Sequence, residues 1–96
     1  MEDLTKQLKL LEAKSEVLKA LAHPIRLCIV RGLLDNGICN VTTMQTCLGI
    51  PQSTISQHLA KLKAARIIKG TREGVKINYS VENEDTIKII RAIFEK

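Results

Sequence analysis

The amino-acid sequence predicts a mostly α-helical domain closed by one small β-hairpin, and three observations carry that expectation. Apolar residues recur at three- and four-residue steps over most of the chain. Only residues 67–71 and 75–81 switch to β-branched, roughly alternating segments. Tyr79 and Phe94 are the only aromatic residues in a chain that is 45% hydrophobic, so Leu, Ile, Val and Ala must fill the interior, as they do between packed helices. Ninety-six residues lie at the low end of the single-domain range, so residues 1–96 are expected to form one domain with a thin core.

The first helix is expected over residues 3–21, where Leu4, Leu8, Leu11, Leu18 and Leu21 form an apolar stripe between lysines and glutamates. Pro24 suits the first turn of a helix and not its interior, so His23-Pro24 restarts the chain. A second helix over 24–34 carries Ile25, Leu27, Cys28, Ile29, Val30, Leu33 and Leu34 around nearly its whole circumference, which places it in the middle of the fold. Asp35-Asn36-Gly37 is its stop. A short helix over 41–48 follows, with Val41, Met44, Cys47 and Leu48 on one face and Gly49 at a tight turn. The next helix, 52–65, turns Ile55, Leu59 and Leu62 inward. The strands 67–71 and 75–81 then meet through Arg72-Glu73-Gly74, and Asn83 caps a last helix over 84–95 whose greasy face is Ile87, Ile90, Ile93 and Phe94.

Composition narrows the function classes. Fifteen basic against ten acidic residues leave a formal charge of +5, which favours a polyanionic partner. Single-stranded nucleic acid is disfavoured, because stacking platforms need several exposed rings. Residues 1–11 hold no uninterrupted apolar stretch, and no run approaches the roughly 20 apolar residues of a membrane helix, so a cytoplasmic setting away from membranes is expected. Three cysteines at irregular spacing, Cys28, Cys39 and Cys47, do not make a secreted disulfide framework. No carboxylate cluster, activated nucleophile or glycine-rich phosphate loop suggests an enzyme or a bound cofactor.

The constellation that remains is a short helix, a glycine-containing turn and a second helix, followed directly by a basic hairpin: a winged helix-turn-helix. On the second helix, Gln52, Ser53, Thr54, Ser56, Gln57, His58 and Lys61 face outward or cap the start, and these are the expected contacts to double-stranded DNA. Gln57 suits adenine edges, the hydroxyls suit bases or phosphates, and Lys61 and Lys63 supply charge. In the wing, Lys69, Arg72 and Lys76 flank a tip able to reach the neighbouring backbone or minor groove. A bland solvated helix face explains the polar residues but not their joint occurrence with the turn, the basic hairpin and the net charge.

PQSTISQHLAKLKAARII, residues 51–68, resembles the recognition helix of the ArsR/SmtB family of bacterial repressors. LKALAHPIRL, residues 18–27, and REGVKINYS, residues 72–80, resemble the segment leading into the family's second helix and its wing, and the resemblance covers about residues 16–81. It implies a dimeric repressor that leaves its operator when an inducer binds. The terminal helices independently carry more apolar face than one small core can use, which points to a homodimer and hence to an operator with an inverted repeat.

Many relatives implied by that resemblance sense metals, and here the sequence departs from them. Asn40 and Thr42 stand where a Cys-x-Cys pair is found, and the last helix offers Glu84 and Asp85 without a histidine, so no metal set is expected. His23 is explained by its place before a helix-starting proline and His58 by the recognition helix. The inducer is unknown. Three readings stand for the thiols: packed residues, redox or electrophile sensors, or ligands of a soft metal or arsenite. Along a helix at about 1.5 Å per residue, Cys39 and Cys47 lie roughly 12 Å apart, so a disulfide between them would distort the reading unit. A protein-interaction module and a repressor without an inducer site are the rival functions.

Overall fold

Four capping side chains set where the helices begin. A computed structural model describes residues 3–37 and 39–95, the side chain of Cys39 excepted. Asp3 accepts a hydrogen bond from the Thr5 amide and opens α1 (Leu4–Leu21). His23 Nδ1 accepts from the Ile25 amide, with Pro24 in the first turn of α2 (Pro24–Asn36). Asn40 accepts from the Thr43 amide to start α3 (Val41–Leu48), and Asn83 accepts from the Thr86 amide and hydroxyl to start α5 (Glu84–Phe94). Between them run β1 (Cys39–Asn40), α4 (Gln52–Ala64), β2 (Ile68–Glu73) and β3 (Lys76–Val81). Each cap supplies an acceptor for an otherwise orphaned amide of the first turn.

The expected architecture is present; most element ends lie one or two residues from expectation, and three differences bear on the site. Helix α2 runs two residues beyond position 34, because Gly37 donates its amide to the Leu33 carbonyl and Asn36 bonds back to Gly32. The wing pairs Glu73 with Lys76, so its turn is Gly74-Val75 and Arg72 belongs to a strand instead of the turn. Gly74 has φ of 65° and Val75 does not share it, the pattern of a type II′ turn, whose twist matches paired strands. The third difference is β1, which adds an outer strand to the hairpin by pairing Cys39 with Tyr79 and Asn40 with Asn78, in the order β1-β3-β2.

Helix α4 contributes Ile55, Leu59 and Leu62 to one core cluster, which also holds Val30 and Leu33 of α2, Met44 of α3 and Ile90 of α5. After α4, Ile67 donates its amide to Leu62 and Arg66 donates to Lys63, with Arg66 in the left-handed region at φ of 60°. This Schellman closure drops Ile67 and Ile68 into the core and starts the wing. The interior of α2 is less complete than its sequence suggests: Ile29, Val30 and Leu33 are buried, but Cys28 is exposed. From α1 only Val17 and Leu21 are buried, and its remaining stripe, Leu4, Leu8, Leu11 and Leu18, stands open. No helix among the described residues is long and apolar enough to cross a membrane.

Candidate nucleic-acid interface

The reading unit is built from α3, the turn at Gly49 and α4. Gly49 has φ of 68° and donates its amide to the Gln45 carbonyl, ending α3 in the left-handed conformation that glycine accepts without steric cost. Ile50 is half-buried and Pro51 starts α4 without a side-chain cap. Ile55, Leu59 and Leu62 turn into the core, which fixes the rotation of the whole helix and presents Gln52, Ser53, Ser56, Gln57 and Lys61 to solvent. At about 100° per residue, Ser53, Gln57 and the exposed Ala60 sit near the middle of that outer face, and the exposed Ser56 lies toward one edge of it. Ala60 did not stand out in the sequence, since a methyl among polar residues carries no chemical signal of its own. Thr54 lies on the flank and is half-buried.

His58 departs from the outward-facing set. It is half-buried, its ring centroid is 4.5 Å from that of His23, and its Nδ1 lies 3.2 Å from Nη1 of Arg26. A guanidinium only donates, so Nδ1 accepts and the ring carries its proton on Nε2. Arg26 Nε is held in turn by the Ala20 carbonyl at the end of α1. Burial first, then the neighbouring His23, Arg26 and Lys61, hold the His58 pKa below its ordinary value. His58 therefore braces α4 against the α1–α2 junction. Helical geometry puts it on the flank nearest α2, something periodicity could indicate only once the buried face was known.

In the wing, Arg72 and Lys76 are both exposed but do not share a face. Residues paired across the hairpin lie on one side, so Arg72 stands with Ile77, Gly70 and Tyr79, whereas Lys76 stands with Glu73, Lys69 and Ser80. Glu73 accepts a hydrogen bond from the Asn78 side chain at 2.7 Å on that second side. Strand β1 was not legible in two residues of sequence. Its pairing ties the start of α3 to β3, so the reading unit and the wing share a joint at Asn40 and Asn78.

Cys28 and Cys47 are exposed, contrary to the packed position their apolar neighbours suggest, and both open on one cavity between α2 and α3. The side chain of Cys39 lies outside the described residues. Helix α3 is unbroken from Val41 to Leu48, but Cys39 and Asn40 form β1, so the helical premise behind the separation of Cys39 and Cys47 fails over its first two residues. No group of three or more His, Cys, Asp or Glu residues suited to a metal occurs among the described residues.

A buried helix-turn-helix with a polar outer face, followed by a basic two-stranded wing, defines a winged helix-turn-helix regulator. A family described as a helix-turn-helix domain matches residues 21–71. The transcriptional repressor PagR of Bacillus anthracis is 43% identical over 86 residues, covering 86% of each chain. Its crystal structure superposes with a TM-score of 0.83 at 41% identity, over 90% of this chain and 98% of that one. The repressor SmtB of Mycobacterium tuberculosis is 37% identical over 82 residues, 85% of this chain and 60% of that protein. A homodimeric winged helix-turn-helix DNA-binding domain from Mycobacterium bovis matches at a TM-score of 0.82 and 30% identity, over 97% of this chain and 83% of that one. This chain belongs to the ArsR/SmtB family of winged helix-turn-helix transcriptional regulators.

Proposed function

We propose that the chain is a homodimeric transcriptional repressor that binds double-stranded DNA through α4 and the wing and is released from its operator by an inducing signal. The observation that carries this reading is the outer face of α4. Gln52, Ser53, Ser56, Gln57 and Lys61 are held outward by three buried residues of the same helix, with Arg72 and Lys76 on the hairpin that follows. Gln57 reads adenine in the major groove, Ala60 meets a thymine methyl, and Lys61, Arg72 and Lys76 take phosphates. Thr54 contributes from the helix flank, and His58 acts by positioning α4.

The second copy docks on α1 and α5. Leu11 and Ile93 are 62% and 57% exposed, and with Leu4, Leu8, Leu18 and Phe94 they form more open apolar surface than a lone small domain usually carries. Two-fold pairing presents two copies of α4 to an inverted repeat whose half-sites lie about one helical turn, roughly 34–36 Å, or a multiple of it apart. The setting is the cytoplasm, where thiols stay reduced and the exposed Cys28 and Cys47 are available for an oxidative signal.

The test is a titration of labelled duplexes selected from a random pool, at two salt concentrations, with reduced and then diamide-oxidised protein. The expected outcome is tight binding to a palindromic site that weakens steeply with salt, and further with oxidation. Binding to no duplex, or binding indifferent to salt, overturns the DNA reading in favour of a protein-interaction module. Affinity unchanged after full thiol oxidation removes oxidation as the signal.

A further inference from the structure

Between α2 and α3 lies a cavity of about 410 Å³, within the size range of pockets that hold small organic molecules. Ile29, Leu33 and Met44 make its apolar wall, and Asn78 of β3 stands at its edge. Two further features distinguish it from an incidental gap. Cys28 of α2 and Cys47 of α3 both line it and both are exposed, so two nucleophilic sulfurs from separate helices face one apolar space. Gly32, also in the wall, sits inside α2, where glycine is the poorest helix former after proline. A Cβ built on it would meet no atom within 4 Å, so no neighbour excludes a side chain there. What glycine leaves at that position is open room beside the thiols.

We propose that this cavity is a covalent ligand site that takes small, apolar Michael acceptors, quinones and other α,β-unsaturated carbonyl compounds, onto the sulfur of Cys28 or Cys47. The thiol gives up its proton and the thiolate attacks the β-carbon. A carbon–sulfur bond forms as the alkene π bond opens, the electron pair passes to the carbonyl oxygen as an enolate, and a proton returns at the α-carbon. No oxidant or reductant is consumed. Cys47 lies in the last turn of α3, two residues before Gly49, so an adduct there disturbs the seat of α4. That effect on the operator rests on the repressor reading; the site and its chemistry do not.

The test compares N-phenylmaleimide with a maleimide carrying a short neutral glycol chain, reading adducts at Cys28 and Cys47 by peptide mass spectrometry on the reduced full chain. The folded protein is expected to favour the phenyl reagent at least ten-fold more than the urea-unfolded protein does. N-Phenylsuccinimide, which lacks the alkene, is expected to slow the reaction by competition. Gly32→Leu adds a bulky side chain to the cavity wall and is expected to remove the preference while helical circular dichroism persists; Gly32→Ala, the milder change, is expected to reduce it. The same preference in folded and unfolded protein, or full preference in both variants, overturns the site. An adduct that forms with the expected preference yet leaves the affinity for a selected duplex unchanged overturns its use as a signal. Failure of the unmodified protein to bind any duplex counts against the repressor reading alone.

Discussion

Arg66 holds a backbone conformation that glycine fills more cheaply. Its φ of 60° closes α4 and delivers Ile67 to the core, so the position is constrained from both sides. A left-handed residue with a Cβ costs about 1–2 kcal/mol, partly offset by the greater freedom glycine has in the unfolded chain. Arg66→Gly is therefore expected to stabilise the domain by about 0.5–1 kcal/mol, seen as a rise of a few degrees in Tm. His58 couples stability to pH. Its folded pKa lies below the ordinary 6.5, so between those two values the unfolded chain binds more protons. Stability is full above 6.5 and declines as pH falls through that window. Thermal melts are expected to show a lower Tm at pH 5 than at pH 7.5, with a shallower dependence in His58→Gln. Asp85 acts in a separate window. The hydrogen bond and charge of Lys14 depress its pKa below 3.8, so its contribution is present above that value and fades only in stronger acid.

Under the proposed function, α4 and the wing divide the work of binding. Gln57 sits at the middle of the outer face of α4, where a bidentate pair to adenine separates one base from another by about 1–3 kcal/mol. Gln57→Ala is expected to relax preference at one position per half-site in a competition against single-base variants. Arg72 projects from the opposite side of the hairpin to Lys76, so each can meet a different phosphate. Arg72→Ala is expected to weaken all duplexes alike and to lower the magnitude of the salt slope, log K against log salt, by about 1 per protomer. Glu73 already engages Asn78, which keeps one carboxylate of the wing occupied within the hairpin.

For the molecule as a whole, the apolar stripe of α1 stays uncovered in a single copy. Only the last part of α1 meets the core, through Val17 and Leu21, and Lys14 pairs with Asp85 to hold α1 against α5. Arg31 lies 4.3 Å over the Phe94 ring, which orients the end of α5 beside α2. A Leu11→Glu, Ile93→Glu double variant is expected to sediment as a monomer with its helical content largely kept, and to lose at least a hundred-fold in affinity for a palindromic duplex, because one half-site then binds alone. A variant that stays dimeric would place the interface elsewhere.

The order of elements was legible from the chain because period and punctuation are local properties. Pro24, Gly49 and Asn83 mark boundaries wherever they occur, and the change from helical to alternating pattern near residue 67 announced the wing. The inward set of α4, Ile55, Leu59 and Leu62, followed from spacing alone and oriented most of the candidate contacts. Long-range geometry had no such local sign. Strand β1 exists because β3 offers two residues a partner, His58 turns aside because His23 and Arg26 at the start of α2 meet it, and the two sides of the wing depend on a register shifted by the Gly74-Val75 turn. Cys28 and Cys47 share a cavity for the same reason: their separation along the chain says nothing about how α2 and α3 pack. Sequence alone thus determined the five helices, the hairpin and the inward face of α4, since these obey near-neighbour sterics and apolar burial. The tertiary structure decided which faces meet, because that depends on the packing of side chains far apart in the chain.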